Sequence, residues 1–126
     1  MTSLLVVALL ILSGIIAYKL LRRKMALRGH ELKQREALRK WENKEYILDV
    51  RTMDEYKEGH VPGAILIPLN QLGRRFNEIP RDRDVYVMCR SGTRSAEATV
   101  WLLKKGFANV YNISGGMLQW QGPVDK

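Results

Sequence analysis

The chain has 126 residues, enough for one domain, with a formal net charge of +8 at neutral pH. The basic balance could indicate a nucleic-acid partner, but no stretch interleaves aromatic with basic residues, which argues against that class. A single cysteine excludes an intramolecular disulfide and fits a reducing compartment.

The first predicted element is a membrane-spanning helix over residues 4–21. The run is apolar or small apart from Lys19, and its length as a helix is roughly 27 Å, close to the ~30 Å of bilayer hydrocarbon. A cleaved secretory signal is the alternative, and it would need basic residues before the run and a small-residue cleavage site after it. Neither feature is present around this run, so residues 1–21 are predicted to be an uncleaved anchor.

Charge next to the span predicts its orientation. Residues 22–44 contain nine lysines and arginines against three glutamates, whereas residues 45–126 are nearly neutral. Excess Lys and Arg beside a span marks the cytoplasmic side, so we expect a single-pass protein with its N-terminus outside and its C-terminal domain in the cytoplasm. Residues 22–29 form a basic connector that anionic lipid headgroups would attract, which makes the lipid bilayer a predicted partner.

Residues 30–126 are predicted to form a small α/β domain. An amphipathic helix comes first, with Leu32, Leu38 and Trp41 packing on the domain. Four continuous apolar runs then fit strands buried on both faces of a mainly parallel sheet flanked by helices: 46–50, 64–68, 85–89 and 110–113. The helix candidates between and after them are residues 53–60, 70–79 and 95–106.

The only cysteine, Cys89, ends the third apolar run, at the edge of an α/β sheet where ligands collect. A polar turn and then a helix follow it, so we expect the thiol at the mouth of a site. Backbone N–H groups, hydroxyls, cations and the helix N-terminus would all favour thiolate over thiol. The residues that supply them are Arg90, Ser91, Gly92, Thr93 and Arg94. A buried cysteine ending a core strand is the alternative, and the clustering of these residues argues against it.

The segment "CRSGTRS" (89–95) resembles the active-site loop of the rhodanese family, sulfurtransferases that carry sulfur as a cysteine persulfide. "ILDVRTMDEYKEGHVPGAILIPL" (47–69) and "GFANVYNISGGMLQW" (106–120) are similar to other parts of that family, so the resemblance covers roughly residues 30–122. The anchored arrangement resembles small bacterial membrane-bound rhodaneses, which implies the cell inner membrane.

The resemblance implies a mechanism in which Cys89 is the catalytic nucleophile. Its thiolate would take sulfur from a small anionic donor such as thiosulfate and pass it to a thiol or protein acceptor. The substrate-binding residues implied are Arg90, Ser91, Gly92, Thr93, Arg94 and Ser95. Arg94 would steady the loop and the anion, and Arg90 would attract the donor. No cofactor or metal is implied.

Residues outside the loop are expected to have structural roles. We expect an ion pair between Arg51 and Glu55 beneath the site and a turn-stabilising role for His60. Trp101 and Trp120 are expected to pack in the core or on a lid, and the sequence Gly115-Gly116 is typical of a turn that follows the last strand.

Three other functions compete with sulfur-transfer catalysis. A cysteine phosphatase would place its arginine six positions after the cysteine, but Arg94 is five after Cys89, which makes a tighter cradle. A membrane-tethered persulfide carrier or docking module with little turnover of its own would have the same residues. A redox-sensing thiol usually has a resolving cysteine, and this chain contains no second cysteine.

Overall fold

A computed structural model describes residues 2–126 and begins with one long helix, α1 (Thr2–Ala26). None of its side chains is buried, and its most apolar 18-residue window has a mean hydropathy of 2.5. The helix is long and apolar enough to cross a membrane, and a signal sequence would also meet that test. It continues through the first part of the predicted basic connector, so only residues 27–29 form a turn.

The domain that follows contains a parallel sheet of five strands in the order β1-β5-β4-β2-β3. The four predicted strands are present, although the one within 64–68 has only two residues. Strand β1 was not predicted, because its two residues lie in a segment with helical periodicity. The strands are β1 (Glu31–Leu32), β2 (Tyr46–Asp49), β3 (Ile65–Leu66), β4 (Val85–Met88) and β5 (Val110–Ile113).

The helices lie between and after the strands, as the alternating pattern predicts. The predicted helix over 70–79 is broken into the short helix α4 between 3₁₀ turns at Leu69–Gln71 and Phe76–Glu78. Gly73 lies inside α4 and lowers its helix propensity. The bounds are α2 (Gln34–Glu42), α3 (Met53–Glu58), α4 (Leu72–Arg75), α5 (Thr93–Lys104) and α6 (Gly116–Gln119).

The sheet separates two apolar layers, as its continuous hydrophobic runs predict. Along β4, Val85 and Val87 belong to the layer that contains Leu102 of α5. Tyr86 and Met88 face the opposite layer, which holds the buried Leu32, Ala37 and Trp120, with Leu38 and Trp41 packed against it. Every residue of β4 is therefore buried, and the strand ends at the carboxyl edge of the sheet, directly before Cys89.

Candidate active site

The Cys89 thiol is enclosed at the end of β4. Its relative exposure is 0%, and it belongs to the same apolar layer as Val85 and Val87. The expectation of a thiol at an open mouth is therefore wrong. The alternating side-chain directions of the strand continue to position 89 and turn this side chain toward the α5 layer. The sulfur is not surrounded by apolar atoms alone, because the Gly92 N–H donates to Sγ at 3.1 Å and Ser95 Oγ lies 3.2 Å from it.

The loop after Cys89 is shorter than its sequence suggests. Arg90 and Ser91 are exposed, Gly92 adopts a left-handed φ of +98°, and α5 begins at Thr93. Thr93, Arg94 and Ser95 thus form the first helical turn rather than the turn before it. The unpaired N–H groups and partial positive charge of a 12-residue helix start beside the sulfur. Such N–H groups can donate to a sulfur atom that carries negative charge.

Arg94 is held by an acidic partner. Its two terminal nitrogens donate to the two carboxylate oxygens of Glu55 at 2.6 and 2.8 Å. The hydrogen bond from Arg94 lowers the pKa of Glu55 to about 2, and the same bond raises the pKa of Arg94. The predicted ion pair between Arg51 and Glu55 is wrong, because the Glu55 carboxylate faces Arg94 and the capping position of α3. The contact between Arg51 and Glu55 is a hydrogen bond from the guanidinium to the backbone carbonyl of Glu55, not to its carboxylate.

Arg51 instead forms a buried ion pair with Asp49 at the end of β2. The guanidinium donates to both carboxylate oxygens, at distances between 2.8 and 3.1 Å, and the side chains are 6% and 0% exposed. A further bond of 2.8 Å to the carbonyl of Gly59 ties this pair to the end of α3. Asp49 pairs with Met88 in the sheet. This ionic cluster therefore lies next to the start of residues 89–95, which we call the cysteine loop.

Two glycines precede and begin the short helix α6, which supports the cysteine loop. Gly115 and Gly116 both have positive φ, and α6 begins at Gly116. The first free N–H groups of α6 donate to the loop: Met117 N to the Cys89 carbonyl at 2.8 Å and Leu118 N to the Arg90 carbonyl at 3.0 Å. A Cβ at Gly116 would collide with both carbonyls. The glycine pair, which the sequence indicated only as a turn, therefore fixes the backbone that holds the thiol.

Strand β5 and helix α1 also contact the loop, through residues that were not predicted to do so. Asn112 Nδ2 donates to the Gly92 carbonyl at 3.3 Å and to Glu31 at 3.2 Å. Arg23, near the end of α1, donates to the backbone carbonyl of Thr93. The available signal was the polar Asn112 inside an apolar strand, which requires a partner when it is buried.

The remaining predicted residues have structural contacts. His60 Nδ1 lies 2.8 Å from the carbonyl of Tyr56, and the two rings stack at 3.7 Å, which agrees with a turn-stabilising role. Trp120 is buried, and Trp101 packs on the α5 layer, so both are core residues as expected. Within residues 2–126, no three His, Cys, Asp or Glu side chains cluster in a way that could hold a metal ion.

Comparison with known proteins agrees with this geometry. Residues 31–123 match the family described as the rhodanese-like domain. A sulfurtransferase from Allochromatium vinosum is 40% identical over 74 residues, which are 59% of this chain and 69% of that protein. A Bacillus subtilis protein named "Putative sulfur carrier protein YrkF" is 40% identical over 79 residues, which are 63% of this chain but only 43% of that protein.

Solved structures show the same fold. The crystal structure of a rhodanese-like domain protein from Staphylococcus aureus superposes with a TM-score of 0.70 at 28% identity. The superposition covers 75% of this chain and 95% of that one. The fold is the predicted rhodanese-like α/β fold, with a parallel sheet flanked by helices.

Proposed function

We propose that this chain, which belongs to the rhodanese-like domain family, transfers sulfur through a persulfide on Cys89. Relatives named as sulfurtransferases support sulfur transfer in general. The observation that supports the choice of Cys89 is the N–H of Gly92, 3.1 Å from Sγ at the start of α5. The donor set suits a sulfur atom that bears negative charge.

The proposed reaction has two displacement steps. The Cys89 thiolate attacks the outer sulfur of a donor such as thiosulfate, and the donor's S–S bond breaks with its electron pair leaving on sulfite. An acceptor thiolate, or cyanide, then attacks the outer sulfur of the persulfide, and the S–S bond breaks with its electron pair returning to Cys89. Each step exchanges one S–S bond or forms one S–C bond, and no external oxidant or reductant is needed.

The loop residues have distinct proposed roles in this scheme. Backbone N–H groups from Arg90 to Ser95 would surround the transferred sulfur, with hydroxyl donors from Ser91, Thr93 and Ser95. Arg90 is exposed, so it can attract a dianionic donor without first losing a partner. Arg94 is a positioning residue, because its guanidinium is paired with Glu55 and acts on the site through the geometry of the loop.

We also propose that α1 anchors the protein, with a span over residues 4–21 and the domain of residues 30–126 in the cytoplasm. The exposed apolar surface of α1 and the basic residues at its C-terminal end support this placement. The proposed membrane is the cell inner membrane.

A membrane-tethered sulfur carrier is the second candidate. The enclosed thiol favours this candidate, since a residue with 0% exposure shields its sulfur from small acceptors in solution. The Bacillus subtilis relative named as a sulfur carrier also supports it. The two candidates differ in the second step, because a carrier would load sulfur but release it slowly to a small acceptor.

The test uses the full chain in detergent. Treatment with thiosulfate should add one sulfur, about 32 Da, to the peptide that contains Cys89, as read by mass spectrometry. Cyanide is then added and thiocyanate release is timed. Release with repeated turnover supports the enzyme, and loading without release supports the carrier. Absence of any adduct under these conditions would contradict both candidates.

A further inference from the structure

The end of α1 and the cysteine loop enclose a groove of about 970 Å³. One wall is apolar and strongly exposed: Leu20, Leu21 and Met25 are 59%, 57% and 63% exposed. The loop wall contains Ser91, Gly92 and Thr93. Such a groove has an apolar end toward the span and a polar end at the proposed site.

The charges that face this groove are mostly positive. Three cations line it, Arg23, Lys24 and Arg28, against one carboxylate, Glu31. Glu31 is already engaged, because it accepts hydrogen bonds from Ser114 Oγ at 2.6 Å and from Asn112 Nδ2 at 3.2 Å. The groove therefore presents a net positive field beside an apolar wall, which complements an amphipathic anion.

The position of the groove relative to the bilayer follows from the helix rise. If the span ends at Leu21, Arg23 lies about 3 Å and Met25 about 6 Å beyond the hydrocarbon edge along α1. Headgroup layers are roughly 5–8 Å thick on each side of the ~30 Å hydrocarbon core. Arg23 is bonded to the carbonyl of Thr93, so the first turn of α5 is held at the level of the headgroups.

Basic and apolar side chains also line a groove on the other side of Arg23. A second groove of about 580 Å³ lies between α1 and α5, and Tyr18 and Lys19 line it together with Trp101 and Lys104. The Lys105 ammonium lies 5.1 Å from the centre of the Trp101 ring. Aromatic and basic side chains of this kind are enriched where proteins meet the membrane interface. The acidic residue of this groove is Glu97.

We propose that the groove beside the cysteine loop binds the headgroup of an anionic phospholipid, with the phosphate between Arg23, Lys24 and Arg28. The inference rests on the membrane span proposed for α1. The acyl-glycerol part of the lipid lies against Leu20 and Leu21. Arg23 can bind phosphate while it keeps its bond to Thr93, because a guanidinium has five N–H donors. The cysteine loop thus lies beside the membrane surface.

The experiment uses the full chain in nanodiscs of equal parts phosphatidylglycerol and phosphatidylcholine. Native mass spectrometry after release counts the lipids that stay bound. We expect retention of phosphatidylglycerol over phosphatidylcholine by about tenfold, a modest value for three cations at a charged surface. Replacement of Arg23, Lys24 and Arg28 by Gln should abolish the preference. The matched control replaces three exposed cations outside the groove by Gln, Lys33, Arg35 and Arg39, and should keep the preference.

Three outcomes would overturn the proposal. Equal retention of the two lipids by the wild type is the first, and it does not depend on any variant folding. The second is equal loss of preference in the groove variant and its control. In the third, glycerol 3-phosphate displaces the lipid as well as short-chain phosphatidylglycerol does, which assigns the groove to a free phosphate compound. Thiosulfate loading of Cys89 is measured on the same samples, so failure of the sulfur chemistry is seen separately from failure of lipid binding.

Discussion

Arg94 and Glu55, which are 39 residues apart in the sequence, are joined by two hydrogen bonds of 2.6 and 2.8 Å. The pair connects the first turn of α5 to the first turn of α3, where Glu55 also completes the capping box with Thr52. One carboxylate therefore fixes a helix start and the arginine of the cysteine loop together. Rupture of this pair should affect both the stability of the domain and the reactivity of the thiol.

We expect Glu55→Gln to lower the free energy of unfolding at pH 7 by about 1 kcal/mol, because the pair is partly exposed. The pKa of Glu55 is lowered from 4.5 to about 2 in the folded chain, so its contribution is complete above about pH 4.5. It is lost as the pH falls from 4.5 toward 2. Urea unfolding over this range should show a steeper acid loss in the wild type than in the variant.

Glu78→Gln is the matched control for that series. Glu78 pairs with Arg75 three residues earlier, and its side chain is 53% exposed against 25% for Glu55. It lies outside the loop and should leave thiosulfate loading of Cys89 unchanged. If Glu55→Gln and the wild type lost stability with the same acid dependence, the pair would not hold the charged carboxylate as described.

The loop support by α6 predicts a large effect at Gly116. A methyl group there would meet the carbonyls of Cys89 and Arg90, and the residue has a φ of +55°. Gly116→Ala should lower the free energy of unfolding by about 2–4 kcal/mol and displace the loop, with loss of sulfur loading. Gly73→Ala is the control, because nothing lies within 4 Å of its added methyl group and it sits in a helix.

In the Gly73→Ala control, stability should be unchanged or slightly raised by better helix propensity, and sulfur loading should be normal. Normal loading in a folded Gly116→Ala variant, by thiosulfate and mass spectrometry, would show that the α6 contacts do not position the thiol.

The serine beside the sulfur predicts a kinetic effect. Ser95→Ala removes the hydroxyl 3.2 Å from Cys89 Sγ, and one hydrogen bond of about 1 kcal/mol corresponds to roughly a fivefold change in rate. The initial rate of thiosulfate loading should fall by about that factor. Ser13→Ala is the control, because the Ser13 hydroxyl lies on α1 outside the proposed site and donates to the Leu10 carbonyl at 2.9 Å. Equal rates in the two variants would remove Ser95 from the proposed site.

Replacement of the thiol tests folding and chemistry separately. Cys89→Ser should abolish sulfur loading and cost no more than about 1 kcal/mol, since a hydroxyl can still accept from Gly92 N–H. Cys89→Ala should cost about 1–2 kcal/mol more, because it leaves that buried donor without its partner. Urea unfolding of both variants gives the comparison, and greater stability of the alanine variant would contradict the role given to the Gly92 bond.

The sequence was sufficient for the architecture because its strands are continuous apolar runs, and such runs are typical of a buried parallel sheet. β5 agrees with its predicted bounds, and Cys89, predicted as the last residue of the strand over 85–89, lies directly after β4. β1 was missed because two residues have no periodicity of their own and pair with β5 only in the folded chain.

The partners of the charged residues could not be predicted from the sequence. Arg51 and Glu55 have the spacing of a local pair, but Asp49 is nearer to Arg51 and is fully buried, so it takes the guanidinium. Glu55 is then free for Arg94, which only the tertiary fold brings close. The burial of Cys89 likewise depends on how α5 packs over the end of β4. That packing is tertiary, so the sequence around Cys89 does not predict it.

The central claim is that the Cys89 sulfur, which accepts the Gly92 N–H at the start of α5, is the nucleophile that carries the transferred sulfur. The most direct measurement is the rate of iodoacetamide alkylation of the full chain at pH 7, before and after thiosulfate treatment, with mass spectrometry locating the adduct. The account predicts that Cys89 in the folded chain is alkylated faster than a cysteine in an unstructured peptide, and that thiosulfate first adds one sulfur, about 32 Da, to the same residue. A rate no faster than that of the peptide, or no reaction until denaturant is added, would contradict the account.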